Sequence, residues 1–241
     1  MRILTFNSKG GCGKSLLARE VIAAPNAEQT VIIEIDTLNK TQLTYQNDFK
    51  AVIELDKANI QDLLIHLNEH DNCVVDVGAD NLTTTLNTLV KYQLFDDIDL
   101  VVIPMTSGRT DCENALKTYA TIKSFTDKIM FAFSRFNEDE KLEDQYQVFF
   151  NNIEESGIKS IENNFITITD SDIFLDAQNQ KELVINLAKE VNYKKQALAA
   201  KKDNDLDKFH QLMEKELHKR AAQILVKDCI MPAHQKIMSF K

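Results

Sequence analysis

The chain has 241 residues, of which 44% are hydrophobic and 27% are charged, and its formal net charge at pH 7 is -9. This length and composition are typical of one well-buried globular domain, or of one domain with a small appendage, and they exclude a disordered or fibrous protein. No segment approaches the roughly 18 apolar residues of a membrane span, and the N-terminal residues do not form a signal-peptide pattern, so we expect a cytoplasmic protein.

Short β-branched runs alternate with longer amphipathic stretches over residues 1–190, a pattern typical of β-α units and a mostly parallel sheet. The predicted strands, which are apolar nearly throughout, cover residues 2–6, 30–35, 72–77, 99–105, 129–134 and 164–168. The predicted helices cover residues 14–23, 59–69, 82–92, 111–125, 142–155 and 172–191. The expected fold is a three-layer α/β domain over residues 1–193.

Residues 194–241 are predicted to form a basic, amphipathic, helical C-terminal extension. This segment contains eleven Lys and Arg residues against six Asp and Glu residues, whereas residues 1–193 carry a net excess of fourteen acidic residues. The acidic body predicts no general affinity for nucleic acid, while the extension could contact a polyanion or an acidic surface.

Apolar residues of the extension recur at three- and four-residue spacing until Pro232, where we expect the helix to stop. These residues are Leu206, Phe209, Met213, Leu217, Ile224 and Leu225. The stripe favours docking on the domain or on a second subunit, with DNA or membrane contact as alternatives. A membrane is disfavoured because the stripe contains one Phe and Glu214 and Glu216 interrupt it.

The residues Lys9-Gly10-Gly11-Cys12-Gly13-Lys14-Ser15 follow the first predicted strand and open the first predicted helix. Glycines allow backbone N–H groups to converge on phosphate oxygens, and the helix N-terminus adds a positive dipole. Lys14 has the spacing to reach the β and γ phosphates, and the Ser15 hydroxyl can ligate Mg²⁺. The alternative, a glycine-rich turn that only caps a helix, does not require two lysines.

This run resembles the deviant Walker A motif, K-G-G-x-G-K-[ST], of the ParA/MinD family of partition and positioning ATPases. The resemblance implies a P-loop NTPase fold, with ATP and Mg²⁺ as cofactors. It also implies that the nucleotide is contacted by Lys9, Gly10, Gly11, Cys12, Gly13, Lys14, Ser15 and Leu16.

Further segments extend the resemblance. Asp36 matches the family's aspartate that orients the attacking water, and Glu34 replaces the usual aspartate two residues earlier. A carboxylate at such a strand end could alternatively cap a helix or pair with a lysine. Asp76 matches the Walker B aspartate, which would hold Mg²⁺ together with Ser15, and Gly78 stands where the family commonly has proline.

Base contacts are implied by two further segments. Ser134 and Arg135 lie where the family often has an Asn-Arg pair near the adenine, and Thr169 replaces a proline of the loop that closes over the base. Recognition of adenine is therefore an implication of the family, because Ser134 stands in place of the asparagine.

The resemblance implies a slow ATPase whose catalytic residues are Lys9, Lys14 and Asp36. In the family, the lysine equivalent to Lys9 crosses to the phosphates bound by the other subunit, so that two Mg-ATP molecules hold a homodimer together. The implied role is to segregate or position DNA cargo, such as a plasmid or mobile element. The ATP-bound dimer would bind DNA non-specifically, associate with the nucleoid and respond to a cargo-linked activator protein.

Two other functions remain open. A nucleotide-gated adaptor for conjugation, secretion or cell-pole positioning would use the extension to bind a protein partner or a membrane instead of DNA. An iron–sulfur relative of the same fold would need cysteines that bridge a cluster across the dimer. Cys12, Cys73, Cys112 and Cys229 are widely scattered without a C-x-x-C pair, which speaks against a zinc site and a disulfide framework and predicts free thiols.

Overall fold

A computed structural model describes residues 1–36, 41–156 and 164–240. The described residues form a seven-stranded, wholly parallel sheet with the strand order β3-β2-β4-β1-β5-β6-β7. Its strands are β1 (Arg2–Thr5), β2 (Val31–Ile35), β3 (Ala51–Leu55), β4 (Cys73–Val77), β5 (Leu100–Met105), β6 (Ile129–Phe136) and β7 (Phe165–Thr169).

Helices connect the strands and continue beyond the last one. They are α1 (Lys14–Leu16), α2 (Leu63–Glu69), α3 (Leu82–Lys91), α4 (Arg109–Ile122), α5 (Leu142–Gln145), α6 (Gln147–Ser156), α7 (Asp172–Gln180), α8 (Val184–Leu187), α9 (Tyr193–Lys202), α10 (Leu206–Leu225) and α11 (Met231–Met238). Helix α1 continues as a π-helical segment, Leu17–Ala23, and a second π-helical segment, Val226–Ile230, joins α10 to α11.

The sheet is buried on both faces, as the apolar strands predict. Leu4 and Val75 point into one core, which includes residues of α2 to α6, and Ile3 and Val74 point into the other. That second core includes residues of α1 and its π-helical continuation, α7, α8, α10 and α11. The predicted three-layer α/β fold is therefore confirmed.

The six predicted strands are confirmed, but β3 was missed. It is the edge strand beside β2, and only Leu55 of its five residues is fully buried. Its sequence AVIEL is flanked by Lys50 and Asp56, so neither a continuous apolar run nor strict alternation marks it.

Two predicted helices are each divided. Residues 142–155 break at Tyr146, whose fully buried ring packs on Phe133 and whose hydroxyl donates to the Ser134 carbonyl at 2.7 Å. Residues 172–191 break after Gln180, because Lys181 has a φ of 56° and ends α7 in the left-handed conformation. In both places a local backbone conformation overrides a continuous helical pattern.

The C-terminal helix does not stop at Pro232, so that expectation was wrong. Pro232 lies in the first turn of α11, and the π-helical segment before it widens the backbone where the missing N–H and the ring would otherwise disrupt an α-helix. The predicted apolar stripe was only partly right, because Leu225 is buried but Leu206, Leu217 and Ile224 are exposed. The other buried residues of α10, α11 and the segment between them are Glu216, Lys219, Ala222, Cys229, Ile230, Ala233, His234 and Ile237.

All four cysteines are buried free thiols, as predicted. Burial raises the pKa of both Cys73 and Cys112 to about 11, so these side chains are neutral thiols near pH 7. Among the residues that the structure describes, no helix has the length and apolar character needed to cross a membrane.

The buried face of the C-terminal helices generates a stability prediction. Ile230 is fully buried, whereas Ile224 is 62% exposed. Ile230→Ala should lower the free energy of unfolding by about 2–5 kcal/mol, since it leaves a cavity in the second core. The matched control Ile224→Ala should change it by less than about 0.5 kcal/mol. Urea denaturation measures both, and equal effects would contradict this packing.

Candidate functional site

The glycine-rich loop joins the carboxyl end of β1 to α1, at the edge of the sheet where ligands bind in parallel α/β folds. Its first turn is held by Asn7, which is fully buried. The Asn7 amide donates to the Pro104 carbonyl at 2.6 Å, and its oxygen accepts the Lys9 N–H at 3.0 Å. These bonds attach the loop to the end of β5.

Two glycines of the loop adopt backbone conformations that other residues rarely adopt. Gly11 has a φ of 77° and Gly13 has a φ of 93°, both in the left-handed region. Gly13 also leaves little space, because a Cβ at this position would lie 3.1 Å from the Ser134 hydroxyl oxygen. The two positions therefore require glycine for the loop to turn and pack against β6.

The two lysines of the motif occupy different environments. Lys14 is buried, and its ammonium group donates to the Lys9 carbonyl at 2.8 Å, so it lies over the loop that would hold phosphate. Lys9 is half-buried near the tip of the loop, next to the exposed Gly10. The Lys9 carbonyl also accepts from the Cys12 thiol at 3.2 Å, which closes the loop on itself.

Ser15 and Asp76 come together below the loop. Asp76 is buried and pairs in register with Thr5, whose hydroxyl lies 3.3 Å from its carboxylate. The Ser15 side chain also interacts with Asp76 and favours its charged form. Burial raises the pKa of Asp76, while hydrogen bonds from Gln42 and Ser15 and the charge of Lys14 oppose the shift. A hydroxyl and a carboxylate in contact are hard oxygen donors, so these two residues fit a Mg²⁺ site.

Gln42 completes this cluster and was missed from the sequence. Its fully buried amide donates to the Asp76 carboxylate at 2.9 Å and to the Ser15 carbonyl at 3.1 Å. Its side-chain oxygen is buried and accepts no hydrogen bond from the described part of the chain. No local motif marks Gln42, since these bonds join it to residues 27 and 34 positions away in the chain.

Glu34 lies beside Asp76 on the neighbouring strand, with the two residues in register. Its carboxylate is buried and accepts the backbone N–H groups of Thr41 at 2.9 Å and Gln42 at 3.2 Å. Burial raises the pKa of Glu34 to about 7; the donors from Gln42 and Thr41 oppose this shift, and the Asp76 charge adds to it. Thr41 and Gln42 begin the short 3-10 helix Gln42–Tyr45, so Glu34 accepts the first N–H groups of that helix. This agrees with the alternative that a carboxylate at this strand end caps a helix.

Asp36 follows β2 directly and packs against Gly78, which follows β4 directly. A Cβ at position 78 would lie 2.5 Å from Asp36 Oδ2 and 3.0 Å from Asp80 Oδ1. Any side chain here, including the proline common in the resembled family, would displace the Asp36 carboxylate. Gly78 thus leaves room for the Asp36 carboxylate in its present position, and its own φ is not unusual.

A cleft of about 290 Å³ opens beside the loop. It is near the lower limit of small-molecule sites in size. It is lined by several of the predicted base-contact and loop residues, namely Gly11, Cys12, Gly13, Leu16, Ser134, Arg135 and Thr169.

Arg135 and Thr169 are positioned by irregular local structure. Arg135 has a φ of 62° at a β-bulge, where the pairing of β6 with β7 shifts between Ser134 and Phe136. The Thr169 hydroxyl donates to the Glu138 carboxylate at 2.7 Å, so this side chain is already engaged at the rim of the cleft. The structure therefore brings the predicted base-contact residues and part of the loop together in one cleft. Lys9, Gly10, Lys14 and Ser15 do not line this cleft, and Ser15 lies in the separate cluster with Asp76.

No protein-family model matches the sequence, and no curated protein matches it. Solved structures with the same fold include apo McdA from Cyanothece, at 15% identity and a TM-score of 0.52, covering 89% of this chain and 98% of that chain. A protein described as a plasmid partition protein of Borrelia burgdorferi B31, bound to AMPPNP, has 15% identity and a TM-score of 0.51. The match covers 90% of this chain and 98% of that chain. The cell division ATPase MinD of Pyrococcus furiosus has 11% identity and a TM-score of 0.52. The match covers 89% of this chain and 97% of that chain.

These similarities are similarities of fold. They confirm that the ParA/MinD-type ATPases named from the motif are structural neighbours of this chain.

The buried Glu34 carboxylate generates a pH prediction. Its pKa rises from 4.5 to about 7 on folding, so the folded state binds more protons between these values and stability falls as the pH rises through this window. Glu34→Gln should remove this penalty and be more stable than the original chain at pH 8, by on the order of 2–3 kcal/mol, with the difference vanishing near pH 4.5. Urea unfolding without nucleotide or Mg²⁺ measures this difference.

The exposed Glu28→Gln is the matched control and should show no such pH-dependent difference. A Glu34→Gln effect that is the same at both pH values would contradict the burial of an ionisable group at this position.

Proposed function

We propose that this protein is an ATP-dependent switch that binds Mg-ATP, forms a homodimer around two nucleotides and hydrolyses ATP slowly. The observation that carries the proposal is the glycine-rich loop with Lys9 and Lys14, together with the interaction between the Ser15 side chain and the Asp76 carboxylate beside it. The fold shared with McdA and MinD supports it.

In this proposal, the loop glycines and the N-terminus of α1 bind the phosphates, and Lys14 leaves the Lys9 carbonyl to contact them. The base lies in the cleft lined by Ser134, Arg135 and Thr169. The Borrelia protein of the same fold is bound to AMPPNP, which supports an adenine nucleotide as the ligand.

Hydrolysis requires an oriented water molecule and offset charge on the γ-phosphoryl group. Asp36 orients the water from its position against Gly78, while Lys9 and Lys14 offset the developing charge. Ser15 and Asp76 hold Mg²⁺, which when bound supplies charge stabilisation at the phosphate oxygens. Gln42 holds the Asp76 carboxylate in place through its amide.

Lys9 would reach the nucleotide of the partner subunit. A single P-loop needs one lysine for its own phosphates, and Lys14 occupies that position. Because each nucleotide would then contact both subunits, ATP would stabilise the dimer by mass action and hydrolysis would release it.

Size-exclusion chromatography of three variants with Mg-ATP tests the switch. Lys14→Ala should lose nucleotide binding, because the cation on its own phosphates is removed. Lys9→Ala should bind nucleotide but remain a monomer, and Asp36→Ala should accumulate as an ATP-bound dimer because hydrolysis is blocked. The three proteins without nucleotide serve as controls. An Asp36→Ala protein that remains monomeric in saturating Mg-ATP would overturn the scheme.

We further propose that the ATP-bound dimer binds DNA non-specifically in order to segregate or position a DNA cargo, such as a plasmid or mobile element. Helix α9 carries four exposed lysines and no acidic residue: Lys194, Lys195, Lys201 and Lys202. On an acidic protein, this helix is a concentrated basic surface. Binding to DNA phosphates does not require a particular nucleotide sequence. A cargo-linked activator protein would then trigger hydrolysis.

A DNA-binding measurement tests this role. The protein should shift a non-specific duplex with ATP but not with ADP. The logarithm of the affinity should fall linearly with the logarithm of the salt concentration, with a slope of about -0.9 for each phosphate that the protein neutralises. Replacing the four α9 lysines by alanine should abolish the shift. The matched control replaces the exposed Lys91 and Lys117 of the acidic body and should retain it.

A nucleotide-gated adaptor that binds a protein partner or a membrane is the second candidate. Exposed apolar side chains on the same extension, Leu198, Leu217 and Ile224, favour it. An ATP-bound dimer that gives no DNA shift would support the adaptor over the DNA-binding switch.

A further inference from the structure

His66, Glu69 and His70 form a side-chain cluster at the C-terminal end of α2, remote from the glycine-rich loop. His66 and His70 are one helical turn apart, with parallel rings whose centroids are 6.2 Å apart. Glu69 lies between them in sequence, and one potential ligand atom from each residue lies within 4.8 Å of the other two. All three residue types bind transition metals.

One polar side-chain atom of this cluster has no hydrogen-bond partner among the described residues. His66 Nδ1 is buried and forms no hydrogen bond with the described residues. The nearest Glu69 oxygen is 3.6 Å away, which exceeds a normal hydrogen bond. Two ligand atoms of a tetrahedral Zn²⁺ are about 3.4 Å apart when both bonds are about 2.0–2.1 Å long. The 3.6 Å between His66 Nδ1 and the Glu69 oxygen thus suits a bridging ion better than a direct hydrogen bond.

We propose that His66, Glu69 and His70 form a binding site for a divalent transition metal, with Zn²⁺ as the best match. Two histidines at this four-residue spacing bind zinc when both lie on a helix. Here His66 lies in α2 and His70 is the residue that follows it, and their rings are parallel. Glu69 supplies an anionic oxygen, and its side chain is 58% exposed, so it can move toward the ion. The His70 ring can join these two ligands by a side-chain rotation, because His70 follows the last residue of α2.

The surroundings of the cluster carry charges of both signs, and the N-terminal ammonium group of Met1 donates to the Asp71 carbonyl and the Asn72 side chain. The last turn of a helix carries unpaired carbonyls and the negative end of the helix dipole, so a bound cation is stabilised there. The positive charge of Arg2 is engaged by oxygen acceptors: its guanidinium donates to the His70 carbonyl at 3.3 Å and to the Asp71 carboxylate at 3.1 Å. The backbone of this turn is closed by the His70 N–H, which donates to the His66 carbonyl at 3.1 Å.

The site differs from the proposed Mg²⁺ site in chemistry and position. Two imidazole nitrogens select a borderline ion such as Zn²⁺ over Mg²⁺, which prefers oxygen ligands. His70 lies just before the amino end of β4, whereas Asp76 lies near its carboxyl end. The cysteine spacing speaks against a zinc site built from thiolates, and this cluster uses no cysteine. With three protein ligands, one coordination position remains for water or for a ligand from another molecule.

Calorimetric titration of the full chain with Zn²⁺ tests the site, after chelator treatment and in the presence of excess Mg²⁺ to occupy oxygen sites. The original chain should bind one Zn²⁺ saturably. His66→Ala and His70→Ala should each weaken binding by about tenfold or more, since removal of even an outer-sphere partner has an effect of this size. The exposed His210→Ala is the matched control and should bind as the original chain does.

Two further measurements keep the result independent of folding and of nucleotide chemistry. The exposed Glu69→Gln variant preserves shape while removing the anionic oxygen, and it should also weaken Zn²⁺ binding. In NMR spectra, Zn²⁺ should shift the side-chain resonances of His66 and His70 but not those of His210. No saturable Zn²⁺ binding, or unchanged binding by Glu69→Gln together with unshifted His66 and His70 resonances, would overturn the proposal.

Discussion

Two carboxylates, Glu34 and Asp76, lie side by side on adjacent parallel strands in the interior of the protein. Burying carboxylates is costly unless donors or cations surround them, and the structure around the site supplies donors. Backbone N–H groups of Thr41 and Gln42 satisfy Glu34, while the Gln42 amide and the Thr5 hydroxyl satisfy Asp76. The two carboxylates therefore fix the positions of Thr41 and Gln42 beside the sheet.

The parallel sheet order brings these groups together from distant parts of the chain. Strands β2, β4 and β1 are neighbours, so the residues at their carboxyl ends meet beside the loop that leads into α1. Thr5, Asp76 and Glu34 are in register on the sheet face covered by α1. Hydrogen bonds from Gln42 to the Ser15 carbonyl and to the Glu34 carboxylate connect the start of α1 to the end of β2.

Local motifs were the predictable part of the site. The glycines, lysines and serine of residues 9–15 are contiguous, and their spacing alone indicates phosphate binding. Asp36 and Asp76 follow or end apolar strands, where ligands bind in such sheets. Gln42 could not be found in this way, because its role depends on hydrogen bonds to two segments far from it in the chain. The close approach of Asp36 to Gly78 was likewise hidden, since the two residues follow different strands.

The sequence by itself determined the layered α/β fold, the positions of most strands and helices along the chain, and the glycine-rich loop that we propose binds phosphate, because hydrophobic periodicity and contiguous motifs are local properties. Tertiary structure alone decided which face of the C-terminal helices is buried, how these helices continue past Pro232, and that β3 completes the edge of the sheet. It also decided the contacts among Glu34, Gln42 and Asp76. Each of these depends on packing between segments far apart in the chain, which no local pattern encodes.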